Sequence, residues 1–552
     1  MAEITGAQLI ARSLKHHGID YMFGIVGVPV VPVAMHAQAA GIKYYGMRHE
    51  QSASYAAQAV SYLTGRPGSC LVVSGPGMTN AISGLANAQV NCWPMILLGG
   101  ASDMSQAGMG AFQEAPQVEA ARPFVKYAAK IDRVERIPYF IEQAVRVSMY
   151  GRPGPVYLDL PGDIIDGKID EDAAPPQPPR VGEAPRPQAD PAAVQHALDV
   201  LRQAERPLVV VGKGAAYSRA EQEVRDFVER TQLPYLAAPM AKGLIPDDHP
   251  LSVAAARSFA LQNADVVFLV AARLNWIMHF GMPPRFDPNV RIIQLDISSE
   301  EIGTNVPAEV ALVGDAKAVV GQLNAALEER PWQFSPENTW RTGIEKKIEE
   351  NAAAIEPMLN DDSVPMGYYR VLREIRDVTP KDAILVNEGA NTMDIGRQVL
   401  PNYLPRHRLD AASFGTMGCG LPFAIAAAAV HPEKRVIAVE GDSAFGFSGM
   451  EVEVACRYNM PITFVIVNNN GISGGPNELD PEKPVPPMAL LPRAHYEKVI
   501  EGFGGLGLFC ERPEEIGPAL QQAFDSGKPA VVNIFINPRA GRKPQQFAWL
   551  TR

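Results

Sequence analysis

Residues 435–471 constrain the fold more than any other stretch. Arg435-Val436-Ile437-Ala438-Val439 is an apolar run of strand length, and Gly441-Asp442 ends it in a sharp turn. Residues 451–458 read as a helix. Thr463-Phe464-Val465-Ile466-Val467 reads as the next strand and runs into Asn468-Asn469-Asn470-Gly471. Strand, helix and strand in that order make a parallel unit, so Asp442 and Asn469 fall just beyond the carboxyl ends of parallel strands, where open α/β sheets hold ligands. A carboxylate, an amide oxygen and a carbonyl near Gly471 form an all-oxygen set that suits Mg²⁺ when a phosphate completes its shell. The backbone N–H groups of Ser443 and Ala444, near a helix start, favour a phosphate oxygen. Gly-Asp alone reads equally as an ordinary strand–turn–helix with an Asp cap. The Asn pair after the following strand is what narrows the reading.

The same unit recurs along the chain. In residues 1–170 an amphipathic helix is expected over 4–18, with Thr5 as its cap. Strands are expected at 21–26, 44–47, 69–73 and 94–98, and a helix at 52–64. A proline-rich linker covers 172–190. Strands at 207–211, 265–270 and 290–295 mark a second region, and a polar connector with a charged helical middle covers 331–365. A strand at 383–386 opens the third. The fold class is therefore α/β, with three doubly wound parallel-sheet domains at 1–170, 191–330 and 366–552. A length of 552 residues agrees with three domains at roughly 150 residues each.

Composition removes several function classes. A net charge of −11 argues against a nucleic-acid partner. The longest apolar runs, such as 423–430, are too short to cross a bilayer. Cys70, Cys92, Cys419, Cys456 and Cys510 contain no C-x-x-C pair and read as small apolar residues in a reducing compartment. Met1-Ala2-Glu3-Ile4 opens no signal peptide and Thr551-Arg552 is no peroxisomal address, so a cytoplasmic location is expected.

Two further places carry candidate residues. Glu50 follows Arg48-His49 at a strand end and precedes Ser52, Ala53, Ala56 and Ala57. It reads either as a helix N-terminal acid favoured by the dipole or as a buried carboxylate placed to meet a heterocyclic nitrogen. In the middle region, Gly212-Lys213-Gly214, Arg273 and Asp296 each follow a strand. Together they suggest an adenine-nucleotide site, with a purely structural domain as the competing reading.

Several of these motifs resemble those of thiamine diphosphate (ThDP) enzymes. Arg48-His49-Glu50-Gln51 with its small residues is similar to the family's motif around its N1′-binding glutamate. Gly441-Asp442-Ser443 with Asn468-Asn469 resembles its diphosphate anchor, whose usual third residue is Gly where this chain has Ser443. The matches span almost the whole chain in the family's order of pyrimidine, middle and diphosphate domains. Within the family, Ile25-Val26-Gly27-Val28-Pro29-Val30, Asn387-Glu388-Gly389-Ala390-Asn391 and residues 440–451 most resemble 2-hydroxyacyl-CoA lyases, with oxalyl-CoA decarboxylases close behind. Val485-Pro486-Pro487-Met488, Leu490-Leu491-Pro492 and the tail Phe547-Ala548-Trp549-Leu550-Thr551-Arg552 point to the lyase branch. One departure bears on the acyl pocket: the lyase pattern Gly-Ile-Tyr is here Gly471-Ile472-Ser473.

The resemblance implies a role for each residue. Glu50 hydrogen-bonds N1′ of the aminopyrimidine and promotes its imino tautomer, with Val28, Phe112 and Gln113 also at the reacting end. Pro76, Asn80, Asn391, Gly415, Met417, Gly441, Ser443, Ala444 and Ile472 contact the cofactor. Met417 wedges between its rings, and the Gly415 carbonyl accepts from the 4′-amino group. Asp442, Asn469 and the Gly471 carbonyl hold Mg²⁺. Apart from the resemblance, the residues Lys213, Arg273 and Asp296 themselves suggest a site for ADP or the ADP part of CoA. The implied reaction splits a 2-hydroxyacyl-CoA into an aldehyde or ketone and formyl-CoA, reversibly. The alternative is decarboxylation of oxalyl-CoA to formyl-CoA and CO₂. Phe112-Gln113, where the decarboxylase pattern has Tyr-Glu, favours the lyase, because an apolar wall suits an alkyl or aryl aldehyde better than a carboxylate. The implied assembly is a homodimer at minimum, with a homotetramer as the family norm, and the active site lies between the first domain of one subunit and the third of another. A regulator that binds the cofactor without turnover is the contrasting class.

Overall fold

The computed structural model describes residues 3–543; the tail motif at 547–552 lies outside the described residues. They fall into two compact units. The first runs up to Pro185 and adds Phe414–Glu433 and Phe447–Met460. The second comprises Arg186–Ser413, Lys434–Gly446 and the chain from Pro461 onward.

The first unit is built on β1 (Glu3–Thr5), β2 (Tyr21–Gly24), β3 (Lys43–Gly46), β4 (Gly68–Val72), β5 (Met95–Ala101), β6 (Tyr127–Lys130), β7 (Pro155–Pro161) and β8 (Lys168–Asp170). Six of these form a sheet in the order β3-β2-β4-β5-β7-β6, with every pairing parallel. β1 and β8 pair antiparallel on their own. β4, β5 and β7 are buried along their whole length, so they read as continuous apolar runs rather than alternating ones. The first helix spans Gly6–His16 and is held by a capping box: Gln8 N–H donates to the Thr5 hydroxyl, and the Gln8 side chain accepts from Thr5 N–H. Its apolar stripe, Leu9, Ile10 and Leu14, packs into a core with Ile96, Leu98, Ile141 and Leu158.

The second unit holds two sheets. β9 (Pro207–Val211), β10 (Tyr235–Ala237), β11 (Val266–Val270), β12 (Arg291–Asp296) and β13 (Val310–Val313) run in the order β10-β9-β11-β12-β13. β14 (Ile384–Glu388), β15 (Arg408–Asp410), β16 (Val436–Gly441), β17 (Thr463–Asn468), β18 (Leu506–Cys510) and β19 (Ala530–Phe535) run in the order β15-β14-β16-β17-β19-β18. All pairings in both are parallel. The last sheet repeats the winding of the first: second strand outside the first, then third and fourth, then sixth before fifth. The connector between the two sheets carries the helix Thr339–Leu359, and the proline-rich linker has no regular structure between Ala174 and the helix Pro191–Gln203.

Several boundaries differ from expectation, among them the first helix, which spans Gly6–His16 after a short strand rather than 4–18, and two differences bear on the sites. β14 extends through Asn387 and Glu388, because both pair with Val439 and Glu440 of β16 and are fully buried there. Gly212-Lys213-Gly214 is not a loop, since the helix Lys213–Tyr217 starts at once. Among the described residues no helix is long and apolar enough to cross a membrane.

Candidate active site

In the second unit the chain leaves β14 first toward β15 and then toward β16, so the ends of β14 and β16 flank a topological switch point. Asp442 follows Gly441, the last residue of β16, and Asn469 follows Asn468, the last of β17. Gly471 N–H donates to Asp442 Oδ2 at 3.0 Å and to Asn469 Oδ1 at 3.3 Å, which gathers all three predicted metal residues around one donor. Asn469 Nδ2 donates to the Tyr368 hydroxyl at 2.9 Å, and Gly471 N–H, which can only donate, fixes the other face of the amide as oxygen. An alanine at Gly471 would put Cβ 2.5 Å from the Met488 carbonyl oxygen, so only glycine lets the chain pass there. Asp442 is buried, and burial pushes its carboxyl up to about 6 while N–H donors oppose. One carboxylate, one amide oxygen and a nearby carbonyl are hard donors, and Mg²⁺ fits them. Among the described residues no three His, Cys, Asp or Glu side chains cluster as a metal site.

Around that set, Gly441 and Ser443 are half-buried and Ala444 is buried in the first turn of the helix Asp442–Ser448. Ser443 N–H already donates to Asp442 Oδ1 at 2.8 Å, so it serves the carboxylate and is not simply directed at a phosphate. Asn391 is half-buried and hydrogen-bonds Tyr368, while Ile472 is exposed. Glu440 lies beside Glu388 on the neighbouring strand; burial, then Glu388, pushes its carboxyl well up.

In the first unit, Glu50 opens the helix Glu50–Thr64 and accepts from Asn80 Nδ2 at 3.0 Å. It is partly exposed in the single chain, because it stands at the carboxyl edge of the sheet. The backbone before it is clamped: the buried Glu451 carboxylate accepts from Arg48 N–H and His49 N–H, each at 3.1 Å. Pro76 and Asn80 lie in the first turns of the helix Pro76–Asn91. Tyr55, from the Glu50 helix, hydrogen-bonds Thr416 at 2.5 Å, between Gly415 and Met417. Gly415 has φ +66° and Met417 is only half-buried in that turn, so it is not plain core. Phe112 is 72% exposed and Val28 70%. Gln113 holds its Oε1 buried and without a partner.

In the central sheet, Lys213 follows β9, Arg273 follows β11 and Asp296 ends β12, all at the carboxyl edge. The first two flank that sheet's own switch point between β9 and β11. Lys213 Nζ reaches Ser413 Oγ at 3.5 Å, and Asp296 Oδ1 accepts from Ser298 N–H at 2.9 Å.

Sequence reasoning missed Tyr368 and Glu451. Tyr368 sits far along the chain from Asn469, and no local pattern marks it. Glu451 had one available signal: it is an acid set between Met450 and Val452 at a helix start.

Comparisons with known proteins agree with this geometry. The family model of the thiamine pyrophosphate enzyme N-terminal TPP binding domain matches residues 4–120, the central domain 194–323, and the C-terminal TPP binding domain 388–534. The chain is 51% identical to 2-hydroxyacyl-CoA lyase 1 of Homo sapiens, over 100% of this chain and 97% of that protein. It is 46% identical to 2-hydroxyacyl-CoA lyase of Arabidopsis thaliana, over 98% and 96%. It is 44% identical to oxalyl-CoA decarboxylase of Escherichia coli (strain K12), over 97% and 95%.

Proposed function

This chain belongs to the thiamine diphosphate enzymes, in the group of the 2-hydroxyacyl-CoA lyases, and on that premise we propose that it cleaves a 2-hydroxyacyl-CoA into an aldehyde or ketone and formyl-CoA, and condenses them in reverse. ThDP, when bound, supplies an electron sink for the carbon–carbon bond that breaks. The protein's part is to bind, orient and move protons. Asp442, Asn469 and the Gly471 carbonyl would hold Mg²⁺ against the diphosphate, with Gly441, Ser443, Ala444, Asn391 and Ile472 lining that end. Glu50 would hold and exchange the proton at N1′, steadied by Asn80. Gly415 and Met417 would set the angle between the rings, with Pro76 beside them. Val28, Phe112 and Gln113 would face the acyl group.

Phe112 carries the choice of substrate: its exposed ring offers an apolar wall without a hydroxyl to solvate a carboxylate. Oxalyl-CoA decarboxylation is the second reading, supported by the 44% identity to that enzyme. A catalytically silent regulator is the third, and it would bind ThDP without turning over any acyl-CoA. Exposed Val31 and Met35 support burial against a second copy, in a homodimer or homotetramer. The positions of Lys213, Arg273 and Asp296 support ADP at the central sheet; no thermal shift with millimolar ADP would leave that domain structural. A cytoplasmic location completes the proposal. The test is product identification from purified protein given 2-hydroxyacyl-CoA, with and without ThDP and Mg²⁺. Formyl-CoA and aldehyde that depend on both support the reading, and bound ThDP with no product refutes it.

A further inference from the structure

Gln117 is buried at 3% exposure, and its side chain joins a buried charge to the backbone beside the reacting end. Its Oε1 accepts from Gly75 N–H at 2.5 Å. Its Nε2 lies 2.9 Å from the Gly100 carbonyl, 3.0 Å from the Tyr157 hydroxyl and 2.6 Å from Asp159 Oδ1. One face meets only a donor and the other only acceptors, so the amide has a single orientation. Tyr157 in turn donates to Asp159 Oδ1 at 2.6 Å, and Lys130 pairs with Asp159 at 3.3 Å.

Gly75 is the point where this network meets function. It has φ +54° and caps the helix Pro76–Asn91, which carries Asn80 and hence the contact to Glu50. Any Cβ at Gly75 would fall 2.6 Å from the Gln113 carbonyl oxygen, so the Gln113 backbone packs directly on it. Asn80 and Gln113 are thus both set by where Gly75 sits.

We propose that Gln117 is a positioning residue that fixes Gly75 and, through it, Asn80 with Glu50 on one side and Gln113 on the other. The proposal rests on the reading of Glu50 and Gln113 as residues of the ThDP site. The groups facing Gln117 are Asp159 and Tyr157, with Lys130 behind Asp159 and Glu114 on its own loop.

Two variants test it. Gln117→Leu leaves Gly75 N–H unsatisfied. The expected result is a fall in kcat of roughly tenfold, from one buried hydrogen bond, with the KM for the thioester little changed. Amide exchange over residues 74–80 of the cofactor-free protein should also be faster than in wild type. Gln117→Glu keeps an acceptor for Gly75 N–H in either state, but only when protonated does it also donate to Asp159 and hold the seat of the amide; ionised, it is repelled by Asp159 and the Gly100 carbonyl and drawn off Gly75. Burial beside Asp159 raises that carboxyl, so the ratio of variant to wild-type kcat should fall by about tenfold as pH rises from about 6 to about 8. If Gln117→Leu does not fold, the Gln117→Glu ratio decides alone. A flat ratio, or wild-type kcat with unchanged exchange in Gln117→Leu, overturns the proposal. Wild-type protein without lyase turnover would instead count against the proposed function, so the two failures are distinct.

Discussion

At the scale of single residues, the account assigns Glu50 and Asp442 different work, and their variants should fail differently. Glu50→Gln should retain ThDP and lose about 10³-fold in turnover, because an amide cannot exchange the N1′ proton. Asp442→Ala should instead weaken Mg²⁺ and cofactor binding. Turnover of Glu50→Gln near the wild-type rate would remove Glu50 from its role. Glu451 makes a prediction in pH. Burial, opposed by the N–H groups of Arg48 and His49, pushes it up to about 7 from the ordinary 4.5. A carboxyl raised in the folded state contributes stability that is full below about 4.5 and is lost as pH rises through about 7. Glu451→Gln should therefore flatten the decline of the thermal midpoint over that window. Parallel curves for variant and wild type would contradict it.

At the scale of elements, the site is a property of strand ends. The turn after β17 brings Gly471 back onto Asp442, and it passes so close to Met488 that no side chain fits. Gly471→Ala should cost about 1–3 kcal/mol in urea unfolding and weaken Mg²⁺ binding in parallel. Unchanged stability would mean that the turn has slack the geometry denies. These strand ends were legible in the chain: the apolar run of β16 followed by Gly-Asp, and that of β17 followed by Asn-Asn, already placed Asp442 and Asn469. The extent of β14 was not, because Asn387 and Glu388 are polar residues buried by their register with Val439 and Glu440. Register is a pairing between distant segments, and hydropathy along one segment does not report it. The same reason hid Tyr368, Glu451 and Gln117, whose partners lie across the fold. The sequence left Glu50 open between a helix N-terminal acid and a buried carboxylate, because the small residues that follow it pack its helix and do not report where its carboxylate stands.

At the scale of the whole molecule, the first and last sheets share one winding order, and each ends in residues assigned to a different end of one cofactor. A scaffold of this kind fixes the chemistry more tightly than the substrate, which depends on side chains such as Phe112 and Ser473. Ser473 sits at φ +62° on an exposed turn, where the lyase pattern has tyrosine, and in the proposed site its small side chain would leave further room for an acyl chain. On the proposed function, this room and the Phe112 wall select a 2-hydroxyacyl-CoA over oxalyl-CoA. The measurement that tests it most directly is kcat/KM for formyl-CoA release from a panel of 2-hydroxyacyl-CoAs, beside kcat/KM for CO₂ release from oxalyl-CoA. The account predicts that at least one 2-hydroxyacyl-CoA exceeds oxalyl-CoA; a value for oxalyl-CoA well above every 2-hydroxyacyl-CoA would contradict it.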